Sequence, residues 1–486
     1  MLIALFLSQV RKRKCKGKNM KVYTFQNNGY NIVIDINSGC VHSVDEVAYD
    51  IIEMMEEGQD RAAIKAEILI KYRNLPDVTS DEVDLIFSDI DQLIKQGKLF
   101  SDDHYRDMAA EFKERQSVLK AICLHVSHDC NLGCRYCFAG KGEFGMGEQP
   151  LMTFEVGKKA FDFLVANSGD RKNLEVDFFG GEPLLNWEVV KELVAYGREL
   201  EKTMDKRFRF TLTTNGTYLN DEIMKFCNKE MSNVVMSLDG RKEVNDRMRV
   251  TRNGKGSYDI VLPKFIDFAE SRNHKNYYIR GTYTHYNTDF AADVLHLADL
   301  GFKEISLEPV VCDPGDDYAI RESDLHKLYA EYDKLALEML KRERNGEGFN
   351  FFHFNVDLTG GPCISKRICG CGVGTEYLAI TPTGDIYPCH QFVGKDEWKL
   401  GNLDTGIEKK DAMAEFEKCN IYAHPECDDC FARMYCSGGC AANSFNASGS
   451  VTGYYNVGCK LHRARVRCAI MMQIARQFKK YPNHDI

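Results

Sequence analysis

The stretch LKAICLHVSHDCNLGCRYCFAG, residues 119–140, joins a mostly apolar run to three closely spaced cysteines, Cys130, Cys134 and Cys137. The apolar half predicts a buried strand, and the thiols follow where that strand ends. Three thiols in one loop cannot all pair with one another as disulfides. Clustered thiols in a reducing compartment usually hold metal, so the stretch predicts a metal site at the carboxyl end of a strand.

Five similar runs follow the first, with helical periodicity between them at 154–168, 187–203 and 258–272. Alternating strands and helices predict a parallel sheet covered by helices, and six units indicate a partial (β/α)6 barrel within an α/β fold. Catalytic groups are expected in the loops after the strands. The six runs are LKAICLHVS, LEVDFFGG, FRFTLTTNG, NVVMSLDG, YYIRGTYTHYN and EISLEPVV.

The regions flanking the barrel have different patterns. Residues 20–105 predict a hairpin turning at Asn27-Asn28-Gly29, followed by three helices, whereas residues 360–465 are dense in Cys and Gly and poor in periodic runs. Such a Cys-rich region is expected to depend on metal for its stability. The predicted organisation is 1–19 extension, 20–105 N-terminal domain, 106–318 barrel, 319–359 connector, 360–465 Cys-rich domain and 466–486 C-terminal helix.

Composition limits the function and the compartment. The chain has 486 residues, 19 cysteines and a formal net charge of -9, which argues against a nucleic-acid-binding protein. Residues 1–19 place an apolar run before a basic cluster, the reverse of a secretory signal, and the run is too short to span a bilayer. We expect this extension to be disordered or spurious, with a weak interfacial anchor as the alternative. The chain is therefore predicted to be cytoplasmic, without stable membrane association.

The spacing CxxxCxxC is compatible with two kinds of metal site. Zinc normally takes four ligands, and His125 or His128 could complete such a site. A [4Fe–4S] cluster held by three thiolates, with one iron open to a non-protein ligand, fits the triplet better.

With Tyr136 before the last cysteine, the triplet resembles the signature of the radical S-adenosylmethionine (SAM) superfamily. That resemblance implies that Cys130, Cys134 and Cys137 hold a catalytic cluster, whose open iron binds SAM and whose electron splits it to a 5′-deoxyadenosyl radical. Three further matches lie at strand ends: GGEP at 180–183, TTNGT at 213–217 and SLDG at 237–240. The residues that the resemblance implies for SAM are Tyr136, Gly180, Gly181, Glu182, Ser237, Asp239 and Arg249.

The C-terminal cysteines resemble the SPASM domain, which holds two auxiliary clusters in radical SAM enzymes that modify peptides. The resemblance assigns one cluster to Cys427, Cys430, Cys436 and Cys459, and the other to Cys371, Cys389 and Cys440. The fourth ligand of the latter is either Cys363 or Cys369, and Cys363 is taken as the candidate. A pair of zinc ribbons is the alternative, because CxxC pairs also suit zinc.

Residues 20–105 resemble the PQQ-biosynthesis D-like element, a winged-helix-like unit that binds a leader peptide as an added strand. The alternative is a small structural cap. The three parts together resemble the SCIFF (six-cysteines-in-forty-five) maturases, which implies thioether formation in a Cys-rich precursor peptide. The cofactors implied are SAM and three [4Fe–4S] clusters, and the partners are that peptide and a low-potential donor such as flavodoxin or ferredoxin. Two other functions stay open: a formylglycine-forming sulfatase maturase, and a non-catalytic iron–sulfur or zinc protein.

Overall fold

The computed structural model describes residues 21–111, 118–147, 149–359 and 363–478. The expectation for residues 1–19 lies outside this part of the chain. Among the described residues, every helix is too short or too polar to cross a bilayer.

The N-terminal domain is a three-stranded antiparallel sheet packed on three helices, in the strand order β1-β2-β3. The predicted turn is present, with φ of 49° at Asn28 and 84° at Gly29, as a two-residue hairpin turn requires. The third strand, VHSV, is not evident from the sequence because it is short and lacks a regular apolar alternation. The elements are β1 (Val22–Asn27), β2 (Tyr30–Asp35), β3 (Val41–Val44), α1 (Glu46–Glu56), α2 (Arg61–Lys71) and α3 (Ser80–Lys95).

A short helix, α4 (Arg106–Glu111), leads toward the barrel, whose six parallel strands lie side by side in chain order. The strands are β4 (Ala121–Ser127), β5 (Asn173–Gly180), β6 (Arg207–Thr214), β7 (Met231–Ser237), β8 (Tyr277–Tyr283) and β9 (Glu304–Pro309). The helices are α5 (Phe154–Ala166), α6 (Trp187–Thr203), α7 (Asp221–Glu230), α8 (Lys242–Met248), α9 (Tyr258–Ser271) and α10 (Phe290–Asp299). The predicted α/β partial barrel is confirmed, and all six strand predictions fall on these strands.

The Cys-rich region continues the barrel sheet. Its first strand pairs in parallel with β4, so that the full sheet has 11 strands with the barrel at one end. The connector contributes α11 (Leu325–Arg344) and β10 (Asn350–Phe351). The remaining elements are α12 (Ile364–Cys369), β11 (Tyr377–Ile380), β12 (Asp385–Tyr387), β13 (Gly401–Asn402), β14 (Gly406–Ile407), α13 (Lys410–Glu417), α14 (Arg433–Cys436), α15 (Ala441–Ser448) and α16 (Asn456–Phe478).

A buried arginine fastens the N-terminal domain to the Cys-rich domain. Arg433 is 2% exposed, and its guanidinium donates to the Ile36 carbonyl at 3.3 Å and to the Asp428 carbonyl at 3.2 Å. It also donates to the Asn37 side chain and pairs with Asp103 at 3.0 Å. These contacts join the β2–β3 turn to the segment between Cys430 and Cys436, and so position the N-terminal domain on the Cys-rich domain.

Candidate active site

The loop that carries the first three cysteines, here called the cluster loop (residues 128–142), begins at the carboxyl end of β4. Arg252 closes it from outside, because its Nε donates to the Cys130 carbonyl at 2.8 Å and its Nη2 to the Lys141 carbonyl at 3.3 Å. One side chain thus bridges the two ends of the loop. Arg252 stabilises the loop through its backbone carbonyls and does not use the thiols, which can therefore bind other partners.

The three thiols of this loop influence one another electrostatically. Burial raises the pKa of Cys130 to about 12, with further increases from Glu182, Cys134 and Cys137. Burial likewise raises the pKa of Cys134 to about 11. A bound metal deprotonates a thiol outright, so a cluster would stabilise the thiolates that burial disfavours.

Two glycines let the GGEP loop lie directly against the cluster loop. A Cβ at Gly180 would lie 2.1 Å from the Ser127 carbonyl oxygen, and one at Gly181 would lie 2.2 Å from the Asp129 carbonyl oxygen. Gly181 N donates to the Ser127 carbonyl at 2.8 Å. The close packing of these two backbones therefore requires residues without a side chain.

We expect Gly181→Ala to lower SAM cleavage without peptide by at least about 100-fold, because the new methyl group displaces the backbone that carries Cys130. Formation of 5′-deoxyadenosine, measured by chromatography on iron-loaded protein, checks this expectation. Gly133→Ala is the matched control within the cluster loop, since a Cβ there meets its nearest atom, the Thr251 carbonyl oxygen, at an ordinary 3.5 Å. Equal losses in both variants would contradict the argument.

Glu182 joins the GGEP loop to the end of β6. Its carboxylate is fully buried and accepts from Thr214 Oγ1 at 2.8 Å, Asn215 N at 2.7 Å and Leu184 N at 3.0 Å. Burial raises the pKa of Glu182 to about 7, although these hydrogen bonds oppose the shift. Both carboxylate oxygens of Glu182 therefore connect the two loops, and its role toward SAM stays a prediction.

Asp239 similarly holds other groups in position. The carboxylate is fully buried and accepts from Arg249 Nε at 2.9 Å, Tyr136 OH at 2.6 Å and Thr282 N at 3.0 Å. The Arg249 guanidinium lies over the Tyr136 ring, 5.6 Å from its centroid. Asp239 thus fixes the arginine and the tyrosine in position, and its contact with the SAM ribose stays a prediction.

A cavity of about 200 Å³ lies at the carboxyl ends of the strands and brings together most of the residues predicted for the first cluster and SAM, all except Glu182 and Asp239. Its donor set, three thiols with two tightly packed glycines and an arginine, fits an iron–sulfur cluster with SAM. The residues on the cluster-loop side are Cys130, Leu132, Cys134, Tyr136, Cys137, Phe138, Ala139 and Gly142. The strands and the loops after them contribute Phe179, Gly180, Gly181, Thr213, Thr214, Asn215, Ser237, Arg280, Thr282, Glu308, Pro309, Val310 and Val311, the end of α8 contributes Arg249, and the Cys-rich domain contributes His390 and Gln391.

The two histidines that could have completed a zinc site form a hydrogen bond with each other. His125 Nδ1 and His128 Nε2 are 3.1 Å apart, and both rings pack on Phe144, with centroids 4.7 and 4.5 Å from its ring. Burial lowers the pKa of His128 to about 4 and that of His125 well below its ordinary value. This arrangement favours a packing role for both histidines.

Four cysteines of the Cys-rich domain lie together. Burial raises the pKa of Cys427, and the thiols of Cys430, Cys436 and Cys459 raise it further. Three of them lie within ten residues of one another, and Cys459 joins them from the first turn of α16. Within the described ranges, no three Cys, His, Asp or Glu side chains converge as ligands of a single metal ion do.

A second group lies nearer the barrel. Burial raises the pKa of Cys389, and Cys440 and Cys371 add to the shift. Cys419, which the sequence analysis does not assign to any site, also lies beside this group, and its thiol donates to the Glu415 and Val451 carbonyls at 3.8 and 3.6 Å. No spacing in the sequence marks Cys419, because it lies between the two motifs.

The two candidates for the fourth ligand lie at opposite ends of α12. Cys363 is exposed and precedes the helix, whereas Cys369 is half-buried at its end. Cys369 contributes to the raised pKa of Cys419, which places it near the second group. The position of α12 therefore favours Cys369 over Cys363 as the closer thiol.

Comparison with known proteins identifies two domains. A profile of the radical SAM superfamily matches residues 124–271, and a profile of the SPASM iron–sulfur cluster-binding domain matches residues 369–431. A cysteine-type anaerobic sulfatase-maturating enzyme of Clostridium novyi is 26% identical over 355 residues, covering 67% of this chain and 88% of the relative.

Two solved structures share the fold. Native anSMEcpe with bound AdoMet and Cp18Cys peptide superposes with a TM-score of 0.61 at 21% identity, covering 74% of this chain and 99% of its own. Streptococcus suis SuiB bound to precursor peptide SuiA superposes with a TM-score of 0.50 at 16% identity, covering 90% and 99%. With both domain profiles matched and the three cluster-loop thiols lining one cavity, the chain is a radical SAM enzyme with a SPASM domain, whose cofactors are SAM and multiple [4Fe–4S] clusters.

Proposed function

We propose that this enzyme installs sulfur-to-carbon thioether cross-links in a ribosomally made, Cys-rich precursor peptide. The observation that carries the proposal is the shared cavity. Its walls combine the three thiols of the cluster loop with His390 and Gln391, which directly follow Cys389 in the chain. A substrate carbon beside the first thiols and a substrate sulfur beside the auxiliary thiols therefore fit within one cavity.

The proposal gives each group of cysteines one cluster, three in all. Cys130, Cys134 and Cys137 hold the cluster that binds SAM. When bound, SAM and this cluster would supply a 5′-deoxyadenosyl radical for hydrogen abstraction, and the auxiliary clusters would accept the surplus electron. The auxiliary ligands are Cys371, Cys389 and Cys440 with Cys363 or Cys369 in one cluster, and Cys427, Cys430, Cys436 and Cys459 in the other.

The protein orients these reactants through its own side chains. Asp239 fixes Arg249 and Tyr136 at the cavity wall, and Ser237 lines the same wall. We assign Arg249 to the SAM carboxylate and Ser237 to a ribose hydroxyl, since a guanidinium suits a carboxylate and a hydroxyl suits another hydroxyl. Lys141 is exposed on the cluster loop, where a cation suits an acidic donor such as flavodoxin or ferredoxin.

The leader of the precursor is proposed to bind along β3. Asp35 N donates to the Cys40 carbonyl, and the antiparallel register pairs Val33 with His42. Because hydrogen-bonded and non-hydrogen-bonded pairs alternate, the N–H and C=O groups of Val41 and Ser43 point away from β2. Since β3 ends the sheet, these groups suit pairing with an added strand.

The opposite edge is occupied by a helix. The backbone N–H groups of Lys21 and Val22 donate to the Glu56 carboxylate at 3.2 and 3.1 Å, and Thr24 Oγ1 donates to Glu53 at 2.6 Å. These contacts satisfy the backbone N–H of Val22 at the start of β1, so we propose β3 as the edge that binds the leader.

We expect Ser43→Pro to weaken leader binding by about 10-fold or more, because proline removes an outward N–H yet fits an edge strand. Fluorescence anisotropy with a labelled leader peptide measures the affinity. Ser43→Ala is the matched control, since it keeps the N–H and should bind as the wild type does. Unchanged affinity in the proline variant would place the leader elsewhere.

One relative supports a second candidate function. The similarity to a sulfatase-maturating enzyme favours oxidation of a Cys or Ser side chain to formylglycine. The two functions leave different products. Thioether formation removes two hydrogens per bridge, one from carbon and one from sulfur, whereas formylglycine formation changes the mass without a cross-link.

The deciding experiment is anaerobic. Iron-loaded enzyme is incubated with SAM, dithionite and a Cys-rich candidate precursor peptide, and the product is reduced, alkylated and analysed by high-resolution mass spectrometry. Loss of two hydrogens together with a thiol that resists alkylation supports the thioether. A product whose thiols are all alkylated, or a formylglycine mass, overturns it in favour of the second function or another substrate.

A further inference from the structure

An ion pair in the cavity wall has no role in the arrangement described so far. Arg280 of β8 and Glu308 of β9 lie on neighbouring strands, with Nη2 2.8 Å from Oε1, and both line the cavity. Thr282 is opposite Glu308 in the register, so the pair crosses the sheet diagonally. Its charged groups point into the barrel at the ends of the strands.

Stability does not explain this pair. The side chains are 47% and 32% exposed, and an ion pair so accessible contributes about 1 kcal/mol at most. Two charges inside a barrel also lose part of their hydration, which offsets that contribution. A charged pair that stabilises little but lines a reaction cavity is better suited to binding.

The pair shares its cavity with residues from both groups of thiols. His390 and Gln391, which directly follow Cys389 in the chain, line the same cavity as Arg280 and Glu308. Cys389 belongs to the auxiliary group nearer the barrel. The cluster-loop thiols line this cavity as well.

The surrounding side chains suit an extended peptide. Phe138 is 43% exposed, and the His390 ring packs at 5.5 Å from it and 5.1 Å from Phe179. Val310 and Val311 extend this apolar surface along the cavity. The ion pair is therefore a polar position beside an apolar surface, a combination that holds a backbone amide and accommodates a side chain next to it.

We propose that Arg280 and Glu308 bind the backbone of the substrate segment between the reacting carbon and the reacting sulfur, which rests on the proposed function in that a peptide enters the cavity. The guanidinium donates to a peptide carbonyl, and the carboxylate accepts from a peptide N–H. Both contacts are made to the peptide backbone, so the site binds an extended segment. The side chain that donates the reacting carbon can therefore vary.

Glu308→Gln tests this assignment because it keeps the shape and removes the charge. Affinity is measured by anisotropy for the full-length Cys-rich peptide and for its leader alone, and coupling is measured as modified peptide per 5′-deoxyadenosine. We expect affinity for the full-length peptide and the coupling to fall by about 10-fold each, since the hydrogen bond from the peptide N–H loses its charged acceptor. Leader affinity, iron content and SAM cleavage without peptide should change less than about 2-fold.

Glu175→Gln is the matched control. Lys120 and Glu175 form a pair of similar exposure, 35% and 36%, at the other end of the same barrel. Arg280→Lys is a second variant, which keeps the charge and loses the planar fork, and we expect an intermediate loss of coupling. Coupling in Glu175→Gln should equal that of the wild type.

Three results would overturn the assignment. Wild-type coupling and affinity in Glu308→Gln would show that the pair does not contact peptide. An equal fall in SAM cleavage without peptide would assign the pair to SAM, and an equal loss in the Glu175 control would make the effect a general one. Coupling counts every modified peptide, whether or not it contains a thioether. If the wild-type product contains no thioether, the proposed function is refuted. The comparison of variants then still tests whether Arg280 and Glu308 contact the peptide.

Discussion

Replacement of Cys134 by alanine is expected to abolish SAM cleavage. The thiol lies in the cluster loop with Cys130 and Cys137, and loss of one of three thiolates leaves too few ligands for a cluster with one open iron. Formation of 5′-deoxyadenosine should fall at least about 10⁴-fold. Bound iron should fall by about four atoms per chain while the auxiliary clusters remain.

Colorimetric iron analysis and chromatography of the nucleoside product measure the two effects on the same preparation. Cys227→Ala is the control, because this thiol is fully buried in α7, outside all three groups of cysteines. It should keep both iron and SAM cleavage. Residual SAM cleavage in Cys134→Ala at the level of the Cys227 variant would refute the assignment of the first cluster.

Arg433→Ala is expected to reduce the free energy of unfolding by about 3–5 kcal/mol. The substitution leaves the Asp103 carboxylate without its buried partner and leaves the carbonyls of Ile36 and Asp428 without their donor. Buried polar groups that lose their partners pay the full cost of desolvation. Urea denaturation followed by circular dichroism measures the change.

Arg106 provides a control at the same interface. It pairs with Asp428 at 2.6 Å, but the two side chains are 49% and 44% exposed. Arg106→Ala should therefore cost less than about 1 kcal/mol. Similar losses in the two variants would mean that burial of Arg433 does not control the docking of the N-terminal domain.

Local patterns were sufficient for the barrel and for the candidate ligands. Each strand is a short apolar run ended by turn residues, and each predicted motif follows a strand, so sequence order alone places the motifs at one end of a parallel sheet. The same holds for the hairpin at Asn28-Gly29, because a two-residue turn with positive φ at both positions strongly favours these residues.

The hydrogen-bond partners of the acidic residues could not be predicted in this way. Glu182 and Asp239 are predicted to contact SAM, and in the folded chain both also accept hydrogen bonds from other strands and loops. A buried carboxylate must satisfy its acceptors, and which donors reach it depends on contacts distant in sequence. The position of Cys419 beside Cys371 and Cys440 depends on the same kind of contact.

The sequence by itself thus determined the six-stranded barrel, the three groups of cysteines and the chemistry to which they point, because strand periodicity and ligand spacing are local properties. Only the tertiary structure decided that β11 extends the barrel sheet beside β4, that Arg433 joins the N-terminal domain to the Cys-rich domain, and that Arg280 and Glu308 pair in the wall of one cavity. The physical reason is that strand pairing, burial of a charge and the walls of a cavity are set by residues far apart in the chain.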